Sequence, residues 1–471
     1  MITEFGKTLL VGCFLVFSAM AEDWPTYRHD HRRSGVTSES LGAAGLKQSW
    51  VYRSVNVPQM AFSGPAPRDF YNRPDTDLKP RMDFDRVFNV AVVGSRLYFG
   101  SSVEDAIYCL DSRSGKILWV YLTEGPVRLA PSCYEDRVYA GSDDGHVYCL
   151  DGENGKLIWK QRIADRDYRV PSDGKFISLW PVRSGVVVDR GIAYCGAGFL
   201  PSESAYLVAM DARTGKVAGP GTWRHARSGE LSLQGFMLAS EDRLYIPAGR
   251  SPPYIISRDA GKLQGQISGG GGTYCVLDDR QQLIYGPSRY GGLELSNAEV
   301  RKTLVTFDAD HIIVTGDTSY LQTETQLRAI ARHPYHEQSV RKRRAENRRR
   351  SAYDELKKLG ATSTTARAKT LKADIASAGT EAKDALKKLN ATLKWQVNCR
   401  LPHALILAGE HLYAGGSGKV AAFSRRNGKR VWESEISGRA FGLAVANGAL
   451  YVSTDNGTIH AFRPGAETQR R

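Results

Sequence analysis

Long apolar runs are scarce in this sequence of 471 residues, since the one run long enough to note lies at the very start. That scarcity excludes a protein that crosses a membrane repeatedly. The seven cysteines include no CxxC pair and no spacing typical of a metal site. The GxSxG, HExxH and P-loop motifs are also missing, so the sequence assigns no catalytic residue and no metal ligand.

The first residues have the pattern of an export signal. Lys7 precedes an apolar segment over residues 8–17, and residues 18–21 supply the small side chains of a signal peptidase site. We therefore expect residues 1–21 to be a signal peptide and the rest to be exported to the periplasm or cell envelope. Cys13 follows the letters of a lipoprotein motif but lies inside the apolar segment, which leaves lipidation and peripheral membrane association open. The other cysteines are expected to be small buried residues.

Glycine and aspartate turns are abundant, and they mark a repeat that is clearest over residues 136–159. Its letters, DRVYAGSDDGHVYCLDGENGKLIW, contain three short strands and two turns, the first a tight hairpin at residues 143–145. The first-strand signal, an apolar pair that runs into a small residue, recurs at Tyr98, Tyr139, Tyr194, Tyr245, Ile284, Val314, Tyr413 and Tyr451. Repeats of about 40 residues, each a four-stranded meander, indicate a β-propeller.

Tryptophans mark the last strand of the repeat. In three copies a Trp stands four residues after a turn glycine, so that its ring can wedge between neighbouring sheets. The expected blade-docking residues are Trp50, Trp119, Trp159, Trp395 and Trp432. The final repeat lacks such a strand, and residues 46–52 have its pattern. We therefore predict an all-β, eight-bladed propeller closed by an N-terminal strand, or seven blades if the fifth and sixth repeats share a sheet.

The remaining segments divide the chain. Residues 22–45 are predicted to form an N-terminal strap that packs across the fold through its aromatic side chains. Residues 53–85 have no periodic apolar pattern and are predicted to form an exposed loop. The propeller is expected to occupy 46–330 and 393–463, with a tail over 464–471. A helical insertion at 331–392 lies between its two parts, because apolar residues there recur three or four apart.

This insertion is predicted to be a basic helical hairpin, a short coiled coil, with its break near Gly360. Residues 328–394 contain 18 Lys and Arg against 7 Asp and Glu, a large part of the net charge of +14. The hairpin is expected to contact an envelope protein or an anionic surface. Candidate surfaces are lipid head groups, an acidic envelope polymer and nucleic acid, and export argues against nucleic acid. The alternative is a solvated helical pair without a partner.

Arginines recur in the register of the repeat. Arg128 and Arg183 lie eleven residues before the first-strand Tyr of their copies, and Arg86 and Arg439 lie twelve before theirs. Because the innermost strand of a blade begins there, these side chains could converge on the mouth of the central channel. The candidate anion-binding residues are Arg86, Arg128, Arg183, Arg400, His403 and Arg439. The alternative is that each Arg hydrogen-bonds loop carbonyls of its own blade. Asp143, Asp144 and Asp455 are interpreted as hairpin residues.

The motif LD-x-x-x-G-K-x-x-W at 111–119 and 151–159, with its YxGSxDGxVYxLD lead-in, resembles the repeats of the quinoprotein-like (PQQ-repeat, BamB-like) propeller family. The resemblance covers residues 24–462 apart from the helical insertion. It implies either a quinone-dependent dehydrogenase that oxidises alcohols or sugars, or a non-catalytic binding or scaffold protein. The family's enzymes carry a vicinal Cys-Cys pair and a calcium site, and neither matches this sequence. We therefore predict a monomeric scaffold protein, with pyrroloquinoline quinone (PQQ) as the cofactor of the alternative.

Overall fold

A computed structural model describes residues 21–62, 82–172, 174–200, 202–229, 231–249, 251–287, 291–360 and 363–465. The predicted signal peptide lies outside these ranges except for its last residue, and the tail is described only to residue 465. No helix in the described ranges is long and apolar enough to cross a membrane.

Strands dominate the structure. Those of the N-terminal half are β1 (Val36–Thr37), β2 (Leu46–Arg53), β3 (Val90–Val93), β4 (Arg96–Ser101), β5 (Ala106–Asp111), β6 (Ile117–Leu122), β7 (Ser132–Tyr134), β8 (Arg137–Gly141), β9 (His146–Asp151), β10 (Leu157–Arg162), β11 (Arg169–Ser172), β12 (Lys175–Ser178), β13 (Val186–Asp189), β14 (Ile192–Ala197), β15 (Ala205–Asp211) and β16 (Trp223–Arg227). A 3-10 helix, Ala43–Gly45, precedes β2.

The second half continues with β17 (Leu238–Ala239), β18 (Arg243–Ala248), β19 (Ser251–Ser257), β20 (Leu263–Gln266), β21 (Tyr274–Leu277), β22 (Leu283–Gly286), β23 (Leu293–Ser296), β24 (Val305–Phe307), β25 (His311–Thr315), β26 (Thr318–Gln322) and β27 (Gln326–Ala331). Helices α1 (Arg332–Leu359) and α2 (Ala366–Asn390) follow. The last strands are β28 (Leu393–Asn398), β29 (Ala404–Ala408), β30 (His411–Gly415), β31 (Ser417–Ser424), β32 (Arg430–Ala446), β33 (Ala449–Thr454) and β34 (Thr458–Pro464).

These strands form repeated antiparallel meanders. In the described residues, six four-stranded sheets comprise β3–β6, β7–β10, β13–β16, β17–β20, β21–β24 and β25–β28. An eight-stranded sheet runs in the order β1-β29-β30-β31-β32-β33-β34-β2, and β11 pairs with β12. The first strands β3 and β13 are short and almost wholly buried, because neighbouring sheets cover both of their faces. This architecture is consistent with the predicted propeller.

Two features join the beginning and the end of the chain. β2 pairs antiparallel with β34, with Lys47 opposite Arg463 and Val51 opposite His460. The 17-residue strand β32 pairs with β31 through its first half and with β33 through its second half. This long strand merges the last two meanders into one eight-stranded sheet.

Tryptophans connect successive sheets by hydrogen bonds. The indole N–H groups donate to carbonyls of the next meander in the pairs Trp50 to Ser112, Trp119 to Gly152, Trp159 to Ala212, Trp223 to Arg258, Trp395 to Arg425 and Trp432 to Leu46, at distances of 2.9–3.2 Å. The last of these pairs lies within the eight-stranded sheet. Trp223 was not among the residues singled out by sequence, because it stands eight residues after its glycine instead of four.

The glycine of the repeat is required by the ring that lies on it. Gly155 has φ +73°, and a Cβ added there would lie 2.6 Å from the ring of Trp119. The hydroxyl of Tyr98 donates to the same Gly152 carbonyl that accepts from Trp119. One Tyr and one Trp of a sheet thus converge on the turn of the next sheet, which explains the spacing of the LDxxxGKxxW motif.

The sixth first-strand signal, predicted at Val314, is out of register. Val314 lies in the inner strand β25, and the residue equivalent to Tyr98 is Tyr320 in β26, whose ring is 6.0 Å from Trp395. A buried inner strand rich in β-branched residues has the same local pattern as the signal, so sequence alone did not distinguish them.

The N-terminal strap crosses the ends of the inner strands. Trp24 is 1% exposed and exchanges two backbone hydrogen bonds with Val92 of β3, at 2.7 and 2.8 Å. Farther along, the N–H of Leu277 in β21 donates to the carbonyl of Arg32, and β1 pairs in parallel with β29. The strap therefore contacts inner strands from several different sheets at one end of the fold.

Candidate functional site

Four of the predicted site residues precede the first strands of meanders. Arg86 comes before β3, Arg128 before β7, Arg183 before β13 and His403 before β29. Each of these four residues therefore lies just before the first strand of its own meander. The structure groups the six candidates in three separate places.

The first place is a buried ionic cluster around Asp143. The Nε of Arg128 lies 2.6 Å from Oδ2 of Asp143, and Arg183 binds the same carboxylate through Nε at 2.8 Å and Nη2 at 2.7 Å. The side chains of Arg128, Asp143 and Arg183 are 4%, 1% and 2% exposed. Two arginines from neighbouring blades thus share one carboxylate, an arrangement that neither of the predicted alternatives described.

A second carboxylate, Asp85, completes the cluster. Its Oδ2 accepts from Nη1 of Arg128 at 3.0 Å and from the backbone N–H of Ala61 at 2.8 Å. Asp85, Phe84 and Ala61 are all buried, so the prediction that residues 53–85 form an exposed loop is wrong at these positions, whereas residues 55–57 are exposed. The aspartates of this segment resembled solvated loop residues because their partners are far away in sequence.

The electrostatics of the cluster follow from its burial. Burial by itself would raise the pKa of Asp143, but Arg183 and Arg128 outweigh it and hold that pKa below its ordinary value. The same two carboxylates raise the pKa of Arg128 against the effect of burial. For Asp85, burial dominates and raises the pKa above its ordinary value. The cluster is therefore an internally compensated set of charges.

The second place is a cavity of about 270 Å³. Arg86, His403 and Phe441 are among its lining residues. The guanidinium of Arg86 lies over the Phe441 ring at 4.7 Å and that of Arg439 at 5.6 Å, while the His403 ring is 4.5 Å from it. Phe441 thus brings three of the six candidate residues together, a role that the sequence did not show.

The two arginines that lie over Phe441 also have acidic partners. Arg86 pairs with Asp83 at 2.8 Å and Arg439 with Asp455 at 2.6 Å. Burial and the nearby charges of Arg439 and Arg86 lower the pKa of His403, which favours its neutral form. The cavity is therefore lined by paired charges and aromatic rings.

The third place holds Arg400 alone. This residue is exposed and lines a shallow cleft between residues 397–401 and residues 419–433. The structure therefore does not bring Arg400 together with the other five candidates. In the described ranges, no group of three His, Cys, Asp or Glu side chains is placed to hold a metal ion. All six cysteines described are unpaired, and five of them are buried.

A family model described as outer membrane protein assembly factor BamB matches residues 75–177, 143–280 and 416–469. These segments together cover more than half of the chain, and the chain therefore belongs to this PQQ-repeat, BamB-like propeller family. No curated protein sequence matches the chain.

Solved structures with a similar fold include the quinohemoprotein alcohol dehydrogenase from Comamonas testosteroni, with a TM-score of 0.59 and 12% identity over 93% of this chain and 80% of the other. The quinohemoprotein alcohol dehydrogenase ADHIIG from Pseudomonas putida HK5 has a TM-score of 0.55 and 12% identity over 94% and 80%. The computationally designed protein Ika8 has a TM-score of 0.51 and 9% identity over 82% and 98%. At these identities the likeness concerns the fold.

Proposed function

We propose that the protein is an exported, eight-bladed propeller that acts as a non-catalytic binding or scaffold protein at the cell envelope. Six four-stranded sheets, together with an eight-stranded sheet that divides at β32, support eight blades. The pairing of β2 with β34 supports closure of the ring by the N-terminal strand. Membership of a family described by an outer-membrane assembly factor supports a role in protein contacts.

The main support for this proposal is the helical arm, α1 and α2, whose base is held in place by contacts with the neighbouring meander. Nη2 of Arg332 at the start of α1 lies 2.6 Å from Asp278 and 2.6 Å from Asp279. The ring of Tyr335 stacks on Phe307 at 5.5 Å, and its hydroxyl donates to a backbone carbonyl of the same strand. These contacts hold the root of the arm on the neighbouring meander, so the arm is presented in a defined direction. A long helical pair held in this way suits contact with a partner.

The charges in the channel support the same conclusion. PQQ carries three carboxylates and needs unpaired cations at its site. The channel arginines are already paired, Arg128 and Arg183 with Asp143, and Arg86 with Asp83. The residues present therefore fit this cofactor poorly. A quinone-dependent dehydrogenase is the alternative function, and the likeness to the two dehydrogenases extends only to the fold.

The experiment that decides between these functions mixes the purified protein with PQQ and calcium, removes free cofactor by desalting, and adds an electron-accepting dye with alcohols or sugars. We expect neither quinone absorbance nor dye reduction. Retained quinone together with substrate-dependent dye reduction would replace the scaffold function with the dehydrogenase.

The binding role is tested by deletion of residues 338–390, which leaves Arg332 and Tyr335 in place. We expect the shortened protein to keep its propeller, measured by near-ultraviolet circular dichroism, and to lose association with the envelope fraction of cells. Unchanged association of the folded variant would contradict the role given to the arm.

A further inference from the structure

The helical arm is a flat two-helix hairpin. At about 1.5 Å per residue, the 28 residues of α1 extend for about 42 Å. The helices pack through small side chains, with Ala345 and Ala352 of α1 and Ala378 and Ala382 of α2 all buried. Because these seam residues are small, the two helices lie close together and leave two broad faces, one on each side of the seam.

One face holds the ion pairs between the helices. Glu381 of α2 binds Arg348 at 2.8 Å and Arg341 at 3.5 Å, and Asp384 binds Arg341 at 3.2 Å. Nearer the tip, Glu355 binds Arg367 at 2.7 Å. The acidic residues that form ion pairs between the two helices thus lie along one side of the seam, which we call the paired face.

The opposite face, which we call the cationic face, is assigned by the helical period of about 100° per residue. On α1, Arg343, Arg350 and Lys357 recur every seven residues on the side away from Glu381. On α2, Lys372 and Lys383 lie on that same side. The stem of Arg349 confirms the match between helices, because its Cδ lies 3.9 Å from a Cβ built on Gly379 of this face.

Three cations of this face, Arg350, Lys357 and Lys383, have no acidic partner in the described part of the chain. All three are exposed. Lys372 donates only to the carbonyl of Ser363. Glu346 lies on this face and pairs with Lys342 at 2.9 Å. The ion pairs between the helices thus lie on the paired face, whereas Arg350, Lys357 and Lys383 of the cationic face form no ion pair with a described residue.

Two large apolar side chains are exposed on the cationic face. Tyr353 is 61% exposed and Leu386 is 42% exposed. By the helical period both point to the side of Arg350 and Lys383. Cations that flank exposed Tyr and Leu on a flat surface are complementary to the interface of an anionic bilayer, where phosphates meet acyl chains.

We propose that the cationic face of the arm docks on an anionic phospholipid bilayer. The proposal rests on the envelope binding role proposed above and names the partner of the arm. Nucleic acid or an acidic protein would also attract the cations, but an electrostatic contact with nucleic-acid phosphates would gain nothing from Leu386. The length of the arm allows cations from Lys383 to Lys357 to reach the same flat surface together.

The test uses co-sedimentation of the purified protein with vesicles of phosphatidylcholine alone or of phosphatidylcholine with phosphatidylglycerol. The face variant carries Arg350→Gln, Lys357→Gln and Lys383→Gln. The control carries Arg344→Gln, Lys358→Gln and Lys388→Gln, which remove the same number and types of cation elsewhere on the arm. Circular dichroism checks that both variants keep their helices.

We expect the parent protein to bind only the anionic vesicles, and less strongly as salt is added. Each cation near an anionic surface contributes roughly a factor of five, so the face variant should bind roughly a hundredfold more weakly. The control should stay within a few-fold of the parent. Leu386→Ser should also weaken binding, by a factor that persists in high salt.

Three results would overturn the proposal: no binding of the parent to anionic vesicles, equal losses in the face and control variants, or tighter binding to duplex DNA or polyglutamate than to vesicles. The vesicle assay does not depend on the dye assay. A protein that reduces dye and binds vesicles would refute the scaffold function and keep the docking face, whereas one that does neither would refute only the docking face.

Discussion

Replacement of Asp143 by asparagine should be among the most destabilising single changes in the propeller. The carboxylate binds Arg128 through Oδ2 and Arg183 through both oxygens, and all three side chains are at most 4% exposed. Asparagine keeps the shape but loses the charge and one acceptor. Arg128 would still reach Asp85, whereas Arg183 would lose its only carboxylate partner and keep one hydrogen bond to the asparagine oxygen and its ring contacts with Phe62 and Phe199.

Breaking a buried ion pair from one side costs about 3–5 kcal/mol, because it leaves a desolvated charge without a partner. We expect Asp143→Asn to lower the free energy of unfolding by about that amount, measured by urea titration with tryptophan fluorescence. The matched control is Asp455→Asn, since Asp455 also pairs with an arginine, Arg439, whose side chain is 58% exposed. That exposed pair should contribute at most about 1 kcal/mol.

Acid should remove the same contribution. The folded pKa of Asp143 lies below its ordinary value of 3.8, so its stabilisation is complete above that pH and declines as the pH falls further. The difference in stability between parent and Asp143→Asn should therefore be constant near neutrality and shrink below pH 3.8. Equal free energies of unfolding for Asp143→Asn and Asp455→Asn would refute this prediction.

Three further changes test other parts of the fold. Trp159→Phe removes the indole donor to the next sheet and should lower the free energy of unfolding by about 1–2 kcal/mol in urea, while equal stability would show that the hydrogen bond contributes nothing. Gly155→Ala places a Cβ 2.6 Å from the ring of Trp119 and should lower the free energy of unfolding. Gly191→Ala is the control, because Gly191 has a similar φ, +75° against +73°, but open space around it, and it should lower that free energy less. Equal losses would refute the docking contact. Burial lowers the pKa of His460 to about 4 from 6.5, so the stability that depends on its neutral form is present above 6.5 and is lost as the pH falls towards 4; the loss should be weaker in His460→Gln, measured by thermal unfolding across that range.

Much of the architecture was accessible from local patterns. The glycine turns and the Trp four residues after them located the outer strands, because the docking of each ring needs that spacing. The helical hairpin was also predicted closely: α1 ends at Leu359, before Gly360, and Thr365 caps α2 by accepting from the N–H of Ala368. Both the outer strands and the helical hairpin can be predicted because a few residues close together in the sequence specify each of them.

The candidate site was less accessible. Alignment of the repeats placed Arg128 and Arg183 at equivalent positions, and in the structure both residues bind Asp143. It could not show that Asp143 lies between them, because a hairpin aspartate has the same local pattern whether its carboxylate faces solvent or a buried guanidinium. Asp85 and Phe441 were missed for the same reason, since their partners come from other blades.

The sequence by itself thus determined the repeated meander, the place where the N-terminal strand completes it, and the basic character of the arm, because each depends on residues close together in the chain. Tertiary structure decided which charged side chains form ion pairs inside the protein and which have no acidic partner among the described residues. Pairing depends on distances between meanders and between helices, which tertiary packing sets. Arg128 and Arg183 are therefore neutralised by Asp143 and Asp85, whereas Arg350, Lys357 and Lys383 of the arm form no ion pair with a described residue.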